Sequence, residues 1–278
     1  MRALSCDATP CCTGACGVCC IDAAGSDLER AFLLKALAAN RSVADIEAFA
    51  QQIRGVTRDQ LLAHCTGSDP AGFGTGVIQN FSHSCGPTTV QGLHADYDPI
   101  YALQLHQQNP QLGRVDPANP YAVSPSAAAE QRRMLEALHG IAVPVNQGRS
   151  GRGAWLEPEF NALEPITGIR YTREIGSNQR AAYDAWVRGS VLPNLVAGLS
   201  AGMEMPIVIG HAPGQTAHYQ LAMATEVVRD AAGNETRRFQ MHDPGSGRTY
   251  WVTEQQILAG TMAGGGYGLV TAVDVPSR

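Results

Sequence analysis

Gln79-Asn80-Phe81-Ser82-His83-Ser84-Cys85-Gly86-Pro87-Thr88-Thr89 puts a cysteine at the opening of a helix and a glutamine six residues before it. Pro87 falls in the first turn of that helix, where a missing N–H costs nothing. A thiol at this end feels the positive pole of the helix dipole, which favours thiolate over thiol. The Gln79 amide, folding back beside the Cys85 backbone N–H, would supply two donors to a developing oxyanion. These are two of the parts a cysteine hydrolase needs.

The remaining parts stand near the other end of the chain. In Gly210-His211-Ala212-Pro213-Gly214-Gln215-Thr216-Ala217-His218-Tyr219-Gln220-Leu221 a turn rich in Gly and Pro runs into an alternating strand, with His218 at its mouth. A second strand, Arg237-Arg238-Phe239-Gln240-Met241, ends at His242-Asp243-Pro244-Gly245, and Asp230-Ala231-Ala232-Gly233-Asn234 supplies the hairpin turn between them. Antiparallel pairing brings His218 and Asp243 to the same end of the sheet. The imidazole then takes the thiol proton, while the carboxylate fixes its tautomer and steadies the imidazolium. His211 and His242 are rivals for the base. His211 sits in the preceding turn as a solvated loop residue, and His242, next to Asp243, points to the opposite face as a structural or cleft-lining ring. Asp243 also suits the turn that Pro244-Gly245 creates.

Gln79, Cys85-Gly86-Pro87, His218 at a strand start and Asp243-Pro244 after the next strand resemble the papain-like cysteine peptidases, most closely the bacteriocin-processing peptidases and their relatives. The likeness spans roughly 78–275 but is concentrated in three short windows. It implies an α+β papain-like fold, with a helical half carrying the nucleophile packed on an antiparallel sheet carrying His and Asp. It also implies a Cys85–His218–Asp243 triad with Gln79 in the oxyanion hole. Two departures stand out. The interval from Cys85 to His218 is longer than in compact members, and Ser84 stands where bacteriocin-processing domains often carry Asp. No transporter membrane region follows the motifs, so an exporter-attached leader peptidase is not expected.

The activity so implied is hydrolysis of a peptide bond in a protein or peptide substrate through a thioester, with no cofactor. A free-standing domain with an unusual N-terminal extension is similar to bacterial effector or toxin peptidases, which act in another cell and often meet a neutralising inhibitor protein. Two further readings use the same scaffold: a protein glutamine deamidase or transamidase, or a cell-wall amidase. A third is a catalytically inactive binding protein.

Composition bounds the rest. With 278 residues, 44% hydrophobic and 16% charged, the chain suits one substantial folded core. A net charge of −5 with no Lys/Arg block argues against nucleic acid as the main partner. No apolar run reaches a membrane-spanning length, and no basic-then-apolar leader is seen at the N-terminus. Cytoplasmic synthesis is expected, with secretion by a signal-independent route as the alternative. Six of the eight cysteines, Cys6, Cys11, Cys12, Cys16, Cys19 and Cys20, crowd the first twenty residues. Four thiolates there would suit zinc, but no second C-x-x-C and no local His supports it. Elsewhere no metal site is expected.

Three segments follow: a Cys-rich tail over 1–25, a helical extension over 26–67 and the papain-like domain over 68–278. Ser26-Asp27-Leu28-Glu29 reads as a capping box, with Leu28, Phe32, Leu33, Ala36 and Leu37 as the apolar stripe behind it. Ser42 caps a second helix and Thr57 a third. Further helices are read over 98–108, 127–138 and 177–199, the last bent or broken at Pro193. Loops are read over 68–76, 109–126 and 146–153. Strands are expected over 206–209, 219–228, 237–241, 250–252 and 268–273.

Overall fold

The structure, a computed structural model, describes residues 21, 23–81, 83–106, 125–139, 156–176, 179–211, 218–262 and 268–277. Most of the tail read over 1–25, with all six of its cysteines, the loop read over 146–153 and most of the loop read over 109–126 lie outside the described residues. Positions 125 and 126 already belong to a helix.

Three helices open the described chain: α1 (Asp27–Ala38), α2 (Val43–Ile53) and α3 (Arg58–His64). Each begins at a hydroxyl that accepts an N–H of its first turn, from Ser26, Ser42 and Thr57. The capping box expected at Ser26 is only half present. Ser26 Oγ accepts from Glu29 N, but the Glu29 carboxylate takes the N–H groups of Gly25 and Gly55, at 2.7 and 3.0 Å. It thereby ties the start of α1 to the loop after α2. Leu37 also departs from the expected stripe and faces solvent. Phe32, Leu33, Ile46, Phe49, Ile53 and Leu61 pack into one core with Ile100 and Leu103. Those last two belong to α5 (Pro99–His106), which follows α4 (Cys85–Tyr97). Arg41 and Lys35 bond to Asp98 and to the Asp96 carbonyl, so the N-terminal helices rest on the end of α4.

Helix α6 (Pro125–His139) packs on α4. Two short helices, α7 (Glu157–Asn161) and α8 (Glu164–Thr167), precede the first strand, and each has Pro in its first turn. The strands are β1 (Arg170–Ile175), β2 (Met205–Gly210), β3 (His218–Arg229), β4 (Glu235–Asp243), β5 (Arg248–Thr253) and β6 (Leu269–Ser277). They form one antiparallel sheet in the order β1-β6-β2-β3-β4-β5. The fold is α+β.

Side-chain alternation splits the core in two. Ile207, Ile209, Phe239, Met241, Val252 and Val273 meet Tyr183, Val187, Leu195 and Leu199 on one face. Val208, Tyr219, Leu221 and Ala272 meet Val90 and Leu93 of α4 on the other. Because both faces are covered, β2 is buried at every position. The helical stretch over 177–199 resolves into α9 (Arg180–Trp186), a π-helical turn (Val187–Val191) and α10 (Leu192–Ser200). Pro193 has no N–H and its ring crowds the preceding turn. The chain widens there, with Leu192 N bonding to Val187 O, and does not break. A short helix, α11 (Glu254–Ala259), follows β5 from a capping box at Thr253 and Gln256.

Candidate active site

Cys85 is the first residue of α4, and Ser84 is its N-cap. Ser84 makes no side-chain bond to the first turn; its hydroxyl points back to Phe81, 2.9 Å from the Phe81 carbonyl. Gly86 explains the next step. A Cβ there would lie 1.9 Å from Leu156 Cδ1, so only glycine lets Leu156 cross the helix start. Leu156 is fixed in turn, its N–H donating to Tyr219 Oη at 3.2 Å.

Tyr219 follows His218, which opens β3 and lies within hydrogen-bonding reach of the Cys85 sulfur. His218 Nε2 is 2.6 Å from Asp243 Oδ1, which leaves Nδ1 for the sulfur. Burial alone would lower the His218 pKa. Hydrogen bonds and negative charge from Asp243 and Cys85 outweigh it and push the ring up to about 9. The charged imidazolium is thus favoured at neutral pH.

Asp243 ends β4. Register explains the meeting: Leu221 pairs with His242, so the residue after His242 shares a side with Gln220 and, two positions back, His218. Asp243 Oδ1 also accepts Gly245 N at 2.9 Å, and Oδ2 accepts Ser246 Oγ at 2.9 Å. Burial raises the carboxyl pKa, but the bond to His218 and these donors hold it below its usual value. The turn and the site share one carboxylate.

Gln79 lies beside that same turn, its N–H donating to Pro244 O at 2.8 Å. Its side chain is half-buried, and Oε1 has no partner among the described residues. The 76–79 segment runs close to Gly247, whose φ of +64° favours glycine and whose Cβ, if present, would meet Gly76 O at 2.9 Å.

The rivals are placed apart. His242 is wholly buried; Nε2 bonds Val77 O at 3.0 Å, Nδ1 has no partner among the described residues, and burial lowers its pKa. His211 is exposed beyond β2. Cys65, at the C-cap of α3, is buried, and burial pushes its thiol up to about 12. Among the described residues no group of three His, Cys, Asp or Glu side chains could hold a metal, and no helix is long and apolar enough to cross a membrane. Cys6, Cys11, Cys12, Cys16, Cys19 and Cys20 lie outside the described residues.

Three contributors were not anticipated from sequence. Ser246 has a recognisable signal, since a hydroxyl three residues after Asp commonly closes such a turn. Leu156, and Gln131 of α6, whose Oε1 accepts Asn80 N at 2.8 Å beside Gln79, have none, because both reach the site from distant segments. Chemically, the arrangement provides a thiol at a positive helix end, an imidazole that can take and return its proton, and a carboxylate that orients the ring. No protein-family model matches the chain, and no curated protein shows significant similarity to it.

Proposed function

We propose that this protein is a thiol hydrolase of papain-like type, acting as a cysteine peptidase on a protein or peptide substrate. The observation that carries the reading is the continuous line from Cys85 through His218 to Asp243, with an imidazole made basic by its two neighbours. Cys85 sulfur attacks the scissile carbonyl carbon, forming a C–S bond. The oxygen becomes anionic and is met by the Cys85 N–H and the Gln79 amide. Collapse breaks the C–N bond, and His218 gives its proton to the departing amine. Water, deprotonated by the same ring, then cleaves the thioester and releases the acid. Asp243 stays ionised and holds the ring in line throughout. Delivery into another cell as a bacterial effector or toxin, with a neutralising partner, is part of the same proposal and rests on the resemblance of the motifs.

The test is mass spectrometry of a protein mixture treated with the purified enzyme or with Cys85→Ala. New peptide termini that appear only with the unsubstituted protein support the peptidase. A gain of about 1 Da at glutamine without cleavage replaces it with a deamidase on the same residues. No change with either protein, together with a Cys85 thiol no more reactive than a free one, overturns the hydrolase reading.

A further inference from the structure

Gln131 lies on α6, far from Cys85 in sequence, and is fully buried. Its Nε2 donates to Ile78 O at 3.0 Å and to Gln91 Oε1 at 2.9 Å. Its Oε1 accepts Asn80 N at 2.8 Å, and the Ser84 hydroxyl lies 3.2 Å away, sharing its one proton between this oxygen and Phe81 O. The amide orientation follows from the partners. Turned over, it would set a donor against Asn80 N–H and an acceptor against Ile78 O.

The geometry is that of a strand neighbour. In extended chain the N–H of one residue points to one side, and the carbonyl before it and the N–H after it point to the other. Gln79 is held on both sides: its own N–H by Pro244 O, and the flanking Ile78 O and Asn80 N–H by the single amide of Gln131. The same amide also meets Ser84, the residue before Cys85. Gln91, on α4 itself, anchors it and is in turn bonded to Ala127 O and Glu130 Oε2, at 3.1 and 3.0 Å. Helix, loop and α6 are thereby locked in one register.

We infer that Gln131 is a positioning residue, holding the Gln79 loop against the start of α4 so that the oxyanion donors keep their aim. This deepens the hydrolase proposal and rests on it. A donor displaced by a fraction of an ångström loses most of its effect on a developing charge, whereas the reactivity of the sulfur depends on His218 and the helix end and not on Gln79.

That difference supplies the test. 4-Nitrophenyl acetate acylates a thiol through a tetrahedral oxyanion: the C–S bond forms, 4-nitrophenolate leaves and a thioester remains. Iodoacetamide alkylates the same sulfur by displacing iodide, and no carbonyl oxygen takes up charge. Both labels are read at Cys85 by tandem mass spectrometry of the digest, which separates it from the other cysteines. Gln131→Met matches the shape without the amide, and Gln131→Glu keeps an acceptor for Asn80 N but sets another against Ile78 O. Acylation is expected to fall about 10- to 100-fold in both, with alkylation within about twofold of the unsubstituted protein. Acylation unchanged in both variants overturns the assignment. An equal fall in both labels also overturns it, because that is a general loss of structure. If Cys85 of the unsubstituted protein is acylated no faster than glutathione, and Gln79→Ala changes nothing, the underlying hydrolase reading fails and takes this assignment with it.

Discussion

Cys65 closes α3 and Cys85 opens α4, so two thiols of one chain meet opposite ends of a helix. Two histidines on neighbouring strands make a parallel pair. His242 is fully buried against a backbone carbonyl, and His218 is half-buried between a sulfur and a carboxylate. Desolvation acts on both rings in the same direction, towards the neutral form. Only His218 has anionic neighbours close enough to reverse the outcome. Cys65 has burial alone, and its thiol is pushed up to about 12. What separates the members of each pair is the partner together with depth, since His242 and Cys65 are fully buried whereas His218 and Cys85 are half-buried.

The cysteines carry the largest expected effect. Cys85→Ala is expected to lower hydrolysis by about 10⁴-fold or more, measured on any substrate found by peptide mapping. If activity survives, the contrast between the two thiols has no functional content. Next comes the carboxylate. Asp243→Asn is expected to cost about 10²–10⁴ in kcat/KM and to move the alkaline limb of its pH profile. The sign follows from the raised His218 value. The proton on the ring, and the stability it brings, are fully present below the ordinary 6.5 and are lost as pH rises through about 9. Without the Asp243 charge the limb should fall towards 6.5. A limb that stays near 9 would mean that Asp243 does not control the ring.

The structural members of each pair should respond in stability. His242→Leu removes the donor to Val77 O and is expected to cost about 1–3 kcal/mol in urea denaturation at neutral pH. Because burial keeps the ring neutral in the native state, this cost should shrink as pH falls below the ordinary 6.5, where the unfolded ring takes a proton; a cost that grows on acidification would show that the native ring is charged. Cys65→Ala should have the smallest effect, about 1 kcal/mol, with hydrolysis within about twofold. Cys65 should also resist alkylation until the protein unfolds.

Much of the fold could be read from local pattern. The strands at β3, β4 and β5 announce themselves by alternation, and the hairpin by Asp230, whose carboxylate accepts from Ala232 N and Asn234 N. β1 carries no such signal and was not expected. Its Arg170-Tyr171-Thr172-Arg173-Glu174-Ile175 stretch buries only Tyr171, since as an edge strand it pairs with β6 alone and leaves Ile175 exposed. Its ion pair, Arg173 with Asp274, is a partnership across the sheet that no spacing rule reveals. α7 and α8 are equally silent in the sequence, being only one turn each and started by proline.

The candidate site divides along the same line. Gln79, Cys85, His218 and Asp243 each sit in a local context that suits the role proposed for it, be it a helix start, a strand mouth or a turn. The side chains that aim them do not. Gln131 and Leu156 look like any other glutamine and leucine until α6 and the segment before α7 are packed against α4.

The order of residues was enough to single out which groups could carry reactive chemistry and to show that helices precede a sheet, because dipole, turn and periodicity are properties of neighbours along the chain. Which histidine faces the sulfur, which thiol is silenced and what holds the Gln79 loop were decided only by packing. Register between strands and hydrogen bonds between distant segments set those outcomes, and both depend on which surfaces meet when the core closes.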